Sequence, residues 1–113
     1  MSSPKQTGGL QVRIVGTGLI GTSLGMALSR KGYRVALHDP SPTAAALARD
    51  LGAGVLAADS EDIPALVVVA APPDVVASVV AHELTRWPDA VVTDAARVKG
   101  AVLAELRYKG PAL

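Results

Sequence analysis

Val12-Arg13-Ile14-Val15-Gly16-Thr17-Gly18-Leu19-Ile20-Gly21-Thr22-Ser23-Leu24 is the stretch that decides how this chain is read. Val12 to Val15 form an apolar run of strand character. Three glycines follow at positions 16, 18 and 21, and a helix-patterned segment then runs to Lys31. A second apolar run, Arg34 to His38, is closed by Asp39, a little over twenty positions after Gly16. Strand, glycine-rich turn, helix and a second strand ending in a carboxylate together make the fingerprint of a dinucleotide-binding βαβ unit.

Each glycine has its own physical role in that reading. Gly16 lets the backbone leave the strand in a conformation that a side chain obstructs. Gly18 removes a Cβ so that main-chain amides can approach a pyrophosphate, and Gly21 lets the helix lie close against the strand. The helix then directs its free N-terminal amides and the positive end of its dipole at the phosphates. Thr17, Leu19 and Ile20 complete the turn. Asp39 is expected to accept hydrogen bonds from the adenosine ribose and to repel the 2'-phosphate of NADP, so NAD is the expected cofactor and NADP is disfavoured. The following Pro40, Ser41 and Pro42 offer no arginine to such a phosphate. Asp39 also has a plainer reading, as a loop residue before a helix capped by Ser41 with Pro42 at its first position.

At 113 residues the chain is read as one domain, with residues 1–9 as a loose tail and residues 10–113 as the dinucleotide-binding unit. Half of the residues are hydrophobic, but Phe is absent and only one Trp and two Tyr are present, so Val, Leu, Ile and Ala must build the core. That palette suits a parallel sheet covered by helices. A formal net charge of +1 gives no reason to expect nucleic acid or an anionic membrane surface as partner. Without cysteine there is no disulfide and no thiol nucleophile, and the two histidines do not suggest a metal site. The opening residues lack the apolar core of a secretion signal, and Ala65 to Ala71 is too short to span a membrane, which points to the cytoplasm.

The rest of the chain alternates strands and helices. Ser41 and Pro42 open a helix through Ala44 to Leu51, and Val55 to Ala57 is expected as a third strand. Leu66 to Ala70 is the fourth. Val75, Val76, Val79, Val80 and Leu84 recur at the helical period, so that segment is assigned to a helix against the strand preference of valine. Val91 to Thr93 is the fifth strand, and Val98, Val102, Leu103 and Leu106 mark a last helix. The pattern implies a Rossmann-type, doubly wound parallel α/β sheet of order 3-2-1-4-5. Ligands of such sheets sit outside the strands' carboxyl ends where the order reverses, which gathers the glycine turn, Asp39, the Ala71-Pro72 corner and the Thr93-Asp94 corner around one crevice. Ala71 and Pro72 are read as candidates to contact the nicotinamide half, or as a simple strand stop.

Val15-Gly16-Thr17-Gly18-Leu19-Ile20-Gly21-Thr22-Ser23-Leu24 resembles the opening of prephenate and arogenate dehydrogenases, and Thr93-Asp94-Ala95-Ala96-Arg97-Val98-Lys99-Gly100 is similar to that family's Thr-Asp-x-Gly/Ala-Ser-x-Lys motif. The resemblance covers roughly Val12 to Leu106. It implies an NAD-dependent oxidative decarboxylation in tyrosine biosynthesis, acting on a small dicarboxylate. It also implies a histidine base in a His-Pro motif beyond the second marker, and a helical C-terminal domain that contacts substrate and forms a homodimer. Neither lies within these 113 residues, and His38 and His82 precede the marker, so no catalytic residue is assigned. Arg97 stands where the family carries serine, either as a partner for a substrate carboxylate or as a surface charge; Lys99 matches the motif and receives no catalytic role. The chain is therefore read as the NAD-binding half of such an enzyme, inactive alone. A free-standing dinucleotide-binding or sensing module, or part of another NAD enzyme such as a hydroxyacid dehydrogenase, are the alternatives.

Overall fold

Val12 and Ile14 face one side of the first strand and Val15 the other, and all three are buried, so this strand needs cover on both faces. The protein's computed structural model, which describes residues 10–98, shows that cover. Five strands, β1 (Gln11–Val15), β2 (Arg34–His38), β3 (Val55–Leu56), β4 (Leu66–Val69) and β5 (Val91–Asp94), form one parallel sheet in the order β3-β2-β1-β4-β5. Helices α1 (Leu19–Arg30), α2 (Pro42–Asp50) and α3 (Val76–Arg86) connect them, with a 3-10 turn at Ala57–Asp59. The fold class and the strand order expected from the sequence are borne out.

Two cores lie on opposite faces of the sheet. On one, Leu24 and Leu28 of α1 and Ala48 of α2 pack on Val12, Ile14, Val35, Leu37 and Val68. On the other, Val76, Val79 and Val80 of α3 cover Val15, Val67 and Val69. The valine pairs that set helical period against strand propensity thus belong to a helix, because burying one stripe against the sheet outweighs the modest χ1 cost of β-branching. Boundaries shift in small ways. Strand β3 stops at Leu56 because Ala57 already winds into the 3-10 turn, and β4 stops at Val69, although Ala70 N still donates to Val15 O at 2.7 Å. Strand β5 extends to Asp94, which pairs with Val69. The last helix expected through Val102, Leu103 and Leu106 lies outside the described residues.

The register brings the site together. Val15 pairs with His38 and Val69, and Val69 with Asp94, so these four carboxyl ends stand abreast along one edge. Gly16 N donates to His38 O at 2.8 Å, which ties the glycine turn to the end of β2. Among the described residues, no helix is long and apolar enough to cross a membrane.

Among the described residues the sheet also buries a charged pair. Arg13, in the middle of β1, donates from Nε to Glu83 Oε1 of α3 at 2.8 Å and from Nη2 to Oε2 at 3.3 Å. Both side chains are almost wholly enclosed. A bidentate pair of this kind holds α3 in register on the sheet, and each charge compensates the other's desolvation. Glu83→Ala is expected to lower stability by about 3–5 kcal/mol in urea unfolding, since it strands a buried guanidinium. The double replacement Arg13→Met with Glu83→Leu should instead match or exceed the wild type.

Candidate functional site

The turn between β1 and α1 has a backbone that only glycine satisfies at two positions. Gly16 sits at φ +106°, and a Cβ there would lie 2.6 Å from Ala70 O. A Cβ on Gly21 would collide with the carbonyl oxygen of Gly16 and press on Ala70 Cβ at 3.3 Å. These glycines let β1, the turn and α1 close tightly beside the end of β4. Gly18 differs: a Cβ built there meets nothing within 4 Å among the described residues. The three roles assigned to these glycines from spacing therefore divide physically, two into packing and one into access.

The N-terminus of α1 is bare. Its N-cap is Gly18, no side chain among the described residues caps it, and no acidic residue stands in its first turn. The leading N–H groups of a helix have no intrahelical partner, so those of α1 are free to meet an anion at the positive end of the dipole. By contrast, α2 carries an internal cap: Ser41 Oγ accepts from Ala44 N at 3.2 Å, with Pro42 at its first position. Leu19 is 86% exposed and Ile20 is also exposed, which leaves an apolar lip beside those amides.

Asp39 reaches the same place from the end of β2. Its Oδ2 accepts from Thr17 N at 2.7 Å and from Thr17 Oγ1 at 2.9 Å, and its Oδ1 accepts from Ser41 N at 2.8 Å. Partial burial alone would raise the pKa of this carboxyl, but the hydrogen bonds from Thr17 N, Ser41 N and Thr17 Oγ1 outweigh it and hold the group below the ordinary aspartate value. Asp39 therefore stays ionised at neutral pH. Beside it, burial and then the Arg13 guanidinium push the pKa of His38 down, so this imidazole is neutral at pH 7. An apolar hollow of about 190 Å³ adjoins the carboxylate, walled by Leu37, Pro42, Ala45, Leu56 and Ala57. A more polar hollow, of about 220 Å³, lies by Gln11, Arg13, Arg34 and Trp87, with Gln11 and Arg34 at the opposite, amino ends of their strands.

The residues singled out by sequence thus converge in part. Gly16 to Gly21 and Asp39 form one continuous edge with direct hydrogen bonds between them. Ala71 is half-buried against the second core and Pro72 is exposed, with Pro72 O accepting from Val75 N at 3.0 Å, so this corner follows the end of β4 on that edge. Asp94 Oδ1 accepts from Arg97 N at 3.1 Å, while the Arg97 side chain is exposed and makes no ion pair among the described residues. The surface alternative for Arg97 fits that position. Sequence reading missed the side-chain role of Thr17, whose residue is only 5% exposed and whose hydroxyl turns to Asp39. Lys99 lies outside the described residues.

Comparison with known proteins agrees with this fold. The sequence profile of the family described as NADP oxidoreductase, coenzyme F420-dependent, matches residues 11–97. The probable prephenate dehydrogenase NovF of Streptomyces niveus is 42% identical over 97 residues, spanning 86% of this chain and 26% of that protein. The chain therefore spans about a quarter of the length of this curated relative. In fold, arogenate dehydrogenase of Synechocystis superposes with a TM-score of 0.65 at 21% identity, covering 75% of this chain and 32% of the other. The 3-hydroxyisobutyrate dehydrogenase of Mycobacterium tuberculosis, solved with L-serine, does so at 0.55 and 24%, covering 75% and 31%. The resemblance to prephenate and arogenate dehydrogenases read from the two motifs is borne out as similarity.

The division of the glycines is open to measurement. Gly21→Ala should lose at least about 2 kcal/mol in thermal or urea unfolding, because the new methyl meets rigid backbone. Gly18→Ala, at φ −74° with no described residue within 4 Å of the new methyl, should stay within about 1 kcal/mol of the wild type.

Proposed function

The chain belongs to the family of F420-dependent NADP oxidoreductases as that profile is described, and from this premise we propose that it is the NAD-binding unit of a prephenate- or arogenate-type dehydrogenase. The observation that carries the reading is the bare N-terminus of α1 facing an ionised, fixed Asp39. Backbone amides along Gly18, Leu19, Ile20 and Gly21 fit a pyrophosphate without any cation. Asp39 fits a ribose hydroxyl, and the hollow beside it fits a flat heterocycle. Gly16 and Thr17 shape the turn, and Ala71 and Pro72 stand where a nicotinamide ring would be flanked.

When bound, a nicotinamide cofactor supplies the acceptor for a hydride; the chain's own residues hold and orient it. The family description names NADP, whereas Asp39 favours NAD in this chain. Its carboxylate is ionised, three hydrogen bonds fix it, and no described arginine ion-pairs or hydrogen-bonds with it. Like charges a few ångströms apart cost on the order of 1–4 kcal/mol, from exposed to partly shielded surroundings. A dicarboxylate substrate, a place in tyrosine biosynthesis and homodimer formation by the whole protein belong to the same proposal on the strength of the motif resemblance, and a cytoplasmic setting on the shortness of the apolar stretches. Proton abstraction and substrate contact are assigned to no residue of this chain.

Calorimetric titration tests the reading directly. NAD should bind at least about tenfold more tightly than NADP, a difference of about 1.4 kcal/mol. Asp39→Ala should abolish that preference, and Gly18→Ala should weaken both nucleotides while leaving unfolding unchanged. Absence of binding by either nucleotide, or a preference for NADP in the wild type, overturns it.

A further inference from the structure

Thr17 occupies the second position of the glycine turn, and its hydroxyl is spent on Asp39. Oγ1 and the main-chain N both donate to Oδ2 of Asp39, and Thr17 O in turn accepts from Thr22 Oγ1 at 3.0 Å. The turn, the first coil of α1 and the end of β2 are thereby laced through one residue. An ionised carboxylate offers about four acceptor positions, two on each oxygen. Thr17 fills both on Oδ2, and Ser41 N takes one on Oδ1. One acceptor position on Oδ1 is left.

We infer that Thr17 is a positioning residue that sets cofactor discrimination, by locking Asp39 so that the carboxylate presents a single open acceptor and cannot rotate away from a competing anion. The inference rests on the dinucleotide reading of the site and deepens it. A carboxylate anchored only through one oxygen can swing about χ2 and relieve its repulsion of a 2'-phosphate. Main-chain donors on its two oxygens, Thr17 N and Ser41 N, still let it tilt about the line between them; the third bond, from the Thr17 hydroxyl, fixes its plane. The buried hydroxyl is itself constrained, because an unpaired donor in that position would be costly, so the lock is self-consistent. Charge and geometry act together here: the hydrogen bonds that immobilise the group are the ones that keep it negative.

Three versions of the chain separate this from a merely structural role: wild type, Thr17→Val, which keeps the shape and the main-chain N–H but loses the hydroxyl, and Thr17→Ser, which restores it. The ratio of NAD to NADP affinity should fall about tenfold in Thr17→Val, the order expected for one charge-assisted hydrogen bond, and return in Thr17→Ser. Carbon-detected NMR titration of the Asp39 carboxyl in the cofactor-free chain gives a readout independent of binding. Its midpoint should lie below that of ordinary aspartates in the wild type, move up in Thr17→Val and stay low in Thr17→Ser. If Thr17→Val unfolds, Thr17→Ala measured against Thr17→Ser gives the same comparison. An unchanged affinity ratio in Thr17→Val overturns the inference, whether or not the carboxyl midpoint moves. A wild type that binds neither nucleotide overturns the site reading and, with it, this one, even where the NMR midpoints behave as expected.

Discussion

The close approach of α1 to the turn that launches it is the constraint on which the rest of the structure depends. Gly21 lies so near the carbonyl of Gly16 that no side chain fits between them, and Gly16 in turn rests against the main chain of Ala70. This draws the helix axis in over the ends of β1 and β4. Were the helix displaced outward by one methyl group, Leu24 and Leu28 would retreat from Ile14 and Val68, with which they form the first core. The same closeness delivers unpaired amides to the carboxyl edge of the sheet. Packing and recognition thus have a single geometric origin.

Electrostatics then does what side-chain cations do in other anion sites. Among the described residues no lysine or arginine caps the turn; the field comes from the helix terminus, and the negative counterpart, Asp39, sits one strand away. The start of α1 stays uncapped among the described residues because the neighbouring carboxylate is spent on Thr17 and Ser41, which leaves the α1 amides unclaimed. Had Asp39 folded back to cap α1, the site would have satisfied itself and lost its capacity for an external phosphate. The α2 terminus, closed by Ser41, shows that alternative realised a few residues away.

Much of this was legible in the amino-acid sequence, for reasons that differ by element. Strand β2 is legible with its observed bounds because Lys31 and Gly32 before it and Asp39 and Pro40 after it are strong punctuation. Helix α3 emerged from valines at helical spacing even though valine prefers strands, since periodicity reports which face is buried and propensity does not. Strand β3 was overextended by one residue: two residues of pairing leave no alternation to read, and a 3-10 turn following a strand has no apolar period. At the site, Gly16, Gly21 and Asp39 follow from chain geometry that spacing encodes. The hydroxyl of Thr17 does not, because threonine in a turn has several nearby acceptors and only the register of β1 with β2 selects Asp39.

The ion pair of Arg13 and Glu83 was missed for a different reason, and it shows what a sequence can carry without being read. Arg13 interrupts the run Val12 to Val15, and Glu83 falls on the apolar stripe of α3, four positions after Val79 and three after Val80. Each is an anomaly in its own element. Neither can be buried alone at tolerable cost, so two solitary charges of opposite sign, one in a central strand and one in a helix stripe, imply one another across 70 positions. Such a pair is worth little as net stability, but it excludes any packing of α3 that slides along the sheet by a turn, since every other register leaves two charges unmatched. Specificity of the α3 face then rests on electrostatic exclusion, while the α1 face rests on the steric exclusion set by glycine. One sheet is held in place by two unlike devices, and only the steric one announces itself through residue spacing.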